Sequence, residues 1–541
     1  MMALSMERHC LRFSELPHTT KLFGAFLDHF GGVAQFYAHP PNEEGIQSAA
    51  GELKLDASTR QAVVEVLREQ NRRFGADSTT ERSLDRLAAG AVAIVTGQQV
   101  GLFSGPSYSF YKALTTIGLA RRLTERGTDA VPIFWLATED HDLAEVNHCF
   151  WVTRRGHLER LEVPAPEAVG RRVGEVLLGE GVTAAVHSVG KMLEGPAADE
   201  IRQALEVAHQ PGENFGSAFG RLMARLFAGR GIVLLDPLDP RLHRLAAPIY
   251  RRALEENGAL AKELLARGNA LDRAGYHAQV KVVEGGTLLF VNVNGQRQAL
   301  RQRNQQFVAG RMTFSIEELL EGIEKTPEAF TPNVLLRPVV QDSLLPTAAY
   351  VGGPAEVAYF AQAQVLYRRL LGRMPAVVPR GSFTLVEPHI ARLLRKYRLE
   401  VRDVLHGRQH LRAKMEREFL PKELARRFSS GEKSIQRVLA GLRSPLGRLD
   451  QTLEGALDTA ERKMLYQFLK LRAKAGRAED RRTGLLDEHE RALLDSLYPH
   501  RALQERAVCF LVFLARYGFS LLDELEERAR LGAVQHQVLF L

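Results

Sequence analysis

Two stretches of this chain bring chemistry-bearing side chains close together. The first is residues 95–112, VTGQQVGLFSGPSYSFYK, with glycines at 97, 101 and 105. A glycine loop between a strand and a helix aims backbone N–H groups and a helix N-terminus at the space above the strand. That space suits a phosphate or a carboxylate. Gln98 and Gln99 add amides, Ser104 and Ser107 hydroxyls, Tyr108 a phenol and Lys112 a point charge. The loop is not a P-loop, because Pro106 stands where a lysine should follow, and it is not G-x-G-x-x-G. The structural alternative is a tight turn whose glycines only permit close packing. The second stretch is Thr138-Glu139-Asp140-His141-Asp142, directly after the apolar run VPIFWLA. The C-terminal end of a parallel strand is where α/β sheets place ligands. Carboxylates gathered there repel one another unless a cation or a substrate amine is present. The cluster Glu139–Asp142 suits a Mg²⁺ site, a general base or recognition of an ammonium group. A helix N-terminus rich in acids is the competing reading. No set of residues is assigned as ligands of a resident metal.

Two further segments carry polar groups at strand ends. Residues 337–364, RPVVQDSLLPTAAYVGGPAEVAYFAQAQ, contain Arg337 and Gln341 and then a Gly352-Gly353-Pro354 turn. A helix over 355–367 follows, carrying Glu356 and Tyr359, so this is a second strand–glycine–helix unit. The loop PRGSFT offers Arg380 and Ser382, while Asp236 and Asp239 read as turn formers. Cys149 is expected in the core, because adjacent His148 points to the opposite strand face.

The elements that must position these groups read as a Rossmann-like parallel sheet. Strands are expected at 91–96, 131–137, 231–236 and 376–379, with helices at 107–126 and 214–230. The domain reading is a core over 1–385, a helical domain over 386–505 and a tail, 506–541, returning to the core. Insertions are expected at about 152–211 and 265–325. The first contains short extended pieces at 158–163 and 174–178. The second reads as a β-meander: HAQVKVV, a Glu284-Gly285-Gly286 turn, TLLFVNV and an Asn294-Gly295 turn. Ile435, Leu439, Leu442, Leu446, Leu449, Leu453, Ala456 and Ala460 alternate four- and three-residue spacings, an a/d coiled-coil seam. Pro445 should kink that helix or mark a helix start.

The chain has 541 residues, 72 basic and 64 acidic, for a net charge of +8. That excess fits an enzyme handling anionic small molecules; a nucleic acid partner is not expected. Three dispersed cysteines without a C-x-x-C pair fit a reducing cytoplasm. The charged N-terminus lacks a signal-peptide core, and the apolar run 507–515 is too short to span a bilayer. A soluble cytoplasmic protein is expected, with no membrane partner.

VTGQQVGLFSGPSYSFYKA, VPIFWLATEDHDLAEVNH, RPVVQDSLLPTAAYVGGPAEVAYFAQ and PRGSFTLVE together resemble the BshC cysteine ligase family of bacillithiol biosynthesis. The ending, from Gln504-Glu505-Arg506 through LARYGFSLLDEL to HQVLFL, is similar too, so the resemblance spans nearly the whole chain. It implies an α/β fold: a Rossmann-like, nucleotidylyl-transferase-like core with connective-peptide insertions and a helical coiled-coil domain that makes a homodimer. The implied reaction joins cysteine to the amine of glucosaminyl-malate as an amide. Carboxylate activation implies ATP or another nucleotide with Mg²⁺. On this reading Lys112, Asp140, His141 and Asp142 carry catalysis. Gly97, Gln98, Gln99, Gly101, Ser104, Gly105, Tyr108 and Glu139 bind substrate or nucleotide. So do Arg337, Gln341, Gly352, Gly353, Glu356, Arg380 and Ser382. The chain departs from the adenylate-forming pattern in lacking a His-x-Gly-His signature after the first strand and a Lys-Met-Ser-Lys-Ser loop. Two other readings stand beside the ligase. One is a metal-dependent hydrolase or phosphatase built on residues 139–142. The other is a coiled-coil scaffold with a degenerate nucleotide-binding core.

Overall fold

The computed structural model describes residues 6–165, 168, 170–529 and 534–541. Residues 1–5 of the N-terminal reading lie outside them. Five parallel strands form the central sheet: Val92–Gln98, Ala130–Leu136, Val233–Leu235, Thr347–Gly352 and Ala376–Pro379. In space they run fifth, fourth, first, second, third. All seven residues of Ala130–Leu136 are buried, as an apolar strand covered on both faces requires. The strand order reverses between the first and fourth strands, and that is where a doubly wound sheet opens a crevice.

The helix after the first strand, Tyr108–Glu125, is buried on nearly every side. It packs on the sheet with one face and on helix Ser520–Ala529 with the other. Helix Ser520–Ala529 belongs to the C-terminal tail. Its last strand, His536–Phe540, lies between Glu7–Leu11 and Phe383–Val386, antiparallel to the former and parallel to the latter. The apolar run near 511 is the helix Leu511–Tyr517, ended by Gly518 at φ 76°.

In the first insertion, an antiparallel hairpin (His148–Val152 with Leu158–Glu162) precedes helices Gly181–Met192 and Ala198–Ala208. The piece expected as extended at 174–178 is instead a 3-10 turn, Val173–Glu175, followed by an isolated bridge from Leu177 to Asn214. The second insertion is a meander: Gly286–Val293, Gln296–Arg303, Gln306–Ala309 and Met312–Phe314, with Phe330–Pro332 on the other edge. Asn294 and Gly295 both sit at positive φ, 53° and 80°, as a two-residue I′ hairpin turn demands. HAQVKVV, expected as its first strand, is not one. The Gln362 side chain takes both the N–H and the C=O of Val280, at 2.8 and 2.9 Å, and thereby replaces a neighbouring strand.

The helical region contains two long helices, Lys422–Leu449 and Thr452–Thr483, folded back on each other. Arg443 pairs with Asp458, and the Phe428 ring lies 5.2 Å from that of Phe468, so the helices run antiparallel. The seam therefore does not continue through one helix to Ala460. Asp450 is extended, at φ −160°, and accepts the Thr452 N–H at 2.8 Å, which starts the returning helix. The first helix passes through Pro445, which marks no helix start.

Candidate active site

A cleft of about 640 Å³ opens where the strand order reverses. Lys112 and Glu356 form its floor. Lys112 comes from the helix after the first strand and Glu356 from the helix after the fourth, Pro354–Leu370. Their charged groups meet at 2.5 Å. Lys112 Nζ also donates to Gly97 O at 2.7 Å and to Gln98 Oε1 at 2.8 Å, so its three donors are used. Glu356 accepts from the Tyr350 hydroxyl at 2.6 Å and from Gly353 N–H at 2.7 Å. Burial would raise the Glu356 pKa, but Lys112 and the Gly353 N–H overcome it and hold the group as a carboxylate. Lys112 is thus tied into the floor; it is not the free point charge expected from its place in the loop.

One wall is basic. Arg337 donates to Gln341 Oε1 at 2.9 Å and to the Tyr350 and Tyr359 hydroxyls at 3.3 and 3.2 Å. Arg380 is clamped by Glu505, with hydrogen bonds of 3.0 and 2.6 Å. Its guanidinium lies 5.6 Å from the centre of the Tyr108 ring, and that of Arg506 lies 5.8 Å from the same ring. Arg506 is exposed and holds no ion pair among the described residues.

The opposite wall is acidic. Gln99 Nε2 donates to Asp140 Oδ2 at 2.8 Å and to Glu145 Oε2 at 2.6 Å, which holds two carboxylates at the mouth. Deeper in, Glu139 is only 7% exposed. Burial pushes its pKa up to about 7; Arg297 and Arg172 oppose that rise, and Asp236 adds to it. His243 Nε2 stands 3.6 Å from Glu139 Oε1. Burial holds His243 down at about 4, so it is neutral beside Glu139. Arg297 reaches in from the meander, stacked 3.8 Å over Phe290 and 3.0 Å from His141 Nδ1.

The structure brings Gly97, Gln98, Gln99, Tyr108, Lys112, Glu139, Asp140, Arg337, Gly353, Glu356 and Arg380 to this one cleft. Other expected residues stand outside its walls. Gly101 packs on Gly105, where a Cβ would come within 2.8 Å of the Gly105 Cα, so these two glycines serve close backbone approach. Ser104 is fully buried, 3.9 Å from Cys509 Sγ. Gln341 lies behind Arg337. Ser382 is spent on Glu505 and His536, at 3.0 and 2.8 Å. Gly352 ends the fourth strand next to Gly353. His141 touches the site through Arg297, and Asp142 is exposed at the start of the short helix Leu143–Val146. Asp236 and Asp239 form a turn and a helix cap.

The expected anion cradle also moves. The N-terminus of Tyr108–Glu125 is closed by the tail: Ser107 N–H donates to Val508 O at 2.8 Å and Ser107 Oγ to the same oxygen at 2.5 Å. The N-terminus of Pro354–Leu370 opens into the cleft instead, through Gly353, Pro354 and Ala355. Arg297, Glu145 and Arg506 were not singled out from sequence. Arg297 sits in a polar strand, QRQALRQR, that reads as a surface strand until the meander is folded over the cleft.

Comparison with known proteins agrees with this architecture. Residues 6–381 match the family model "Bacillithiol biosynthesis BshC, N-terminal Rossmann-like domain", and 383–541 match "Bacillithiol biosynthesis BshC, C-terminal coiled-coil domain". The chain belongs to the BshC family. It is 42% identical to a relative from Koribacter versatilis, over 96% of this chain and 97% of the relative. It is 40% identical to one from Solibacter usitatus, over 98% and 99%, and 33% identical to one from Salinibacter ruber, over 96% and 95%. All three carry the name "Putative cysteine ligase BshC". BshC membership places the chain among ligases. Among the described residues no helix is long and apolar enough to cross a membrane.

Proposed function

We propose that the protein joins the carboxyl group of L-cysteine to the amine of glucosaminyl-malate, in the cytoplasm and as a homodimer. The observation that carries this reading is the polarity of one cleft. A carboxyl that titrates near neutrality, Glu139, faces a wall of Arg337, Arg380 and Arg506. Glucosaminyl-malate has the matching polarity, an amine at one end and two carboxylates at the other. The arginines bind the malate carboxylates. Glu139 receives the proton the amine must lose as it attacks, and its pKa suits a base at pH 7. The neutral His243 beside it lets that proton arrive without charge repulsion.

Amide formation removes one oxygen from the cysteine carboxylate, and ATP supplies the phosphoryl group that takes it. The hard oxygens of Asp140 and Glu145, bridged by Gln99, suit Mg²⁺. The backbone N–H of Ala355 and Arg506 suit phosphate oxygens.

Incubation of the protein with cysteine, glucosaminyl-malate, ATP and Mg²⁺, read by mass spectrometry, is expected to give bacillithiol. A Glu139→Gln chain is expected to give about 100-fold less. No product from the wild-type chain with any nucleotide would overturn the reading.

A further inference from the structure

We propose that Asp403, His406 and His410 form a transition-metal site at the root of the helical arm. One ligand atom from each lies within 4.8 Å of the other two. Asp403 belongs to the short helix Val401–Leu405, His406 caps that helix and His410 lies in the next, Arg408–Glu418. Gly407 makes the turn between them at φ 91°, a conformation that favours glycine, and so folds the two imidazoles onto one side. The imidazole rings are 5.0 Å apart. His410 Nε2 stands 3.4 Å from Asp403 Oδ1.

The donor set is two imidazoles and one carboxylate, which suits Zn²⁺ or Co²⁺ with water in the remaining position. Tetrahedral bonds of about 2.0–2.1 Å put ligand atoms about 3.4 Å apart, and both imidazoles are exposed and can rotate that far. The carboxylate is already oriented. Asp403 is buried, and its Oδ2 accepts the Glu400 N–H at 2.9 Å, which leaves Oδ1 toward the histidines. Such an outer hydrogen bond is how metal-binding carboxylates are fixed. Oδ1 also attracts a cation in this structure: Lys414 Nζ lies 2.6 Å from it. Lys414 is 41% exposed and can swing into solvent when an ion takes its place. No hydrogen bond or ion pair engages the His406 ring among the described residues, although it lies against His410. The ion would join two consecutive helices. The second of them is tied by Arg412 to Asp480 and Glu490, in the helices of the arm and its base.

The test uses untagged full-length protein, stripped with chelator and titrated with Co²⁺ alone while visible d–d absorption is followed. The wild-type chain is expected to bind one ion more than a His406→Ala/His410→Ala chain, and Zn²⁺ is expected to displace it. Zn²⁺ should raise the wild-type Tm but not that of the double variant. Lys414→Met, which removes the competing ammonium, should tighten Co²⁺ binding by up to about fivefold. Equal stoichiometry and affinity in the wild-type and double-variant chains would overturn the site. So would a Lys414→Met chain that binds Co²⁺ no better than wild type.

Discussion

Lys112 and Glu356 meet at 2.5 Å beneath the cleft, each at the start of a helix that follows one of the two strands flanking the reversal. The pair joins the two halves of the sheet where the backbone diverges. It also fixes the cleft-facing groups above it. Gln98 accepts from Lys112 while its amide nitrogen reaches the Tyr108 hydroxyl at 3.2 Å, and Tyr350 bonds Glu356 while accepting from Arg337.

Removing one partner leaves the other charged and buried. Lys112→Met is therefore expected to cost about 3–5 kcal/mol of stability, and Glu356→Gln a similar amount. The double variant Lys112→Met/Glu356→Gln should recover most of the loss, because no lone charge remains. Urea unfolding of the four chains gives the coupling directly; additive losses would show that the pair does not act as a unit.

Arg506 is the exposed cation of the basic wall, and no ion pair among the described residues holds it. Arg506→Ala should leave the Tm within about a degree, as surface substitutions do. It should raise the KM for glucosaminyl-malate or ATP about tenfold with little change in kcat, the pattern of lost ground-state binding. A KM that stays put for both substrates would remove Arg506 from the site.

Local signals were legible in the chain before folding. The parallel strands announce themselves as apolar runs, and Asn294-Gly295 fixes a hairpin through its own backbone preferences. What depends on distant partners was not legible. Lys112 reads as a free cation until Glu356, more than two hundred residues away, is folded against it. HAQVKVV alternates like a strand, but Gln362 satisfies the backbone that a neighbouring strand would have paired. The 4-3 seam is real as a pattern, yet Asp450 starts a new helix inside it.

The helical hairpin leaves apolar side chains in solvent: Val438 is 64% exposed, Tyr466 61% and Leu471 56%. The proposed homodimer would cover them. Val438→Asp with Leu471→Asp is expected to shift the mass measured by light scattering from dimer to monomer, and the monomer should remain folded by circular dichroism. A dimer that persists in this chain would place the interface elsewhere.

Glu139 should set the pH dependence of both activity and stability. As a base it must be ionised, so kcat is expected to rise through about pH 7 and to level off above it, and Glu139→Gln should abolish that rise. Stability moves the other way. In the unfolded chain Glu139 loses its proton near the ordinary glutamate value, about 4.3, whereas the folded chain keeps it to about 7. Between those values the folded state binds more protons, so the contribution of Glu139 falls as pH rises and is fully lost above pH 7. The loss is on the order of 3–4 kcal/mol. His243, held neutral down to about pH 4, contributes in the opposite direction over pH 4–6.5, so the two must be separated by a variant. Glu139→Gln should therefore be more stable than wild type at pH 8, and its advantage should shrink as the pH falls to 5. Urea unfolding at the two pH values measures this difference; an advantage independent of pH would show that Glu139 is not protonated in the folded cleft near neutrality.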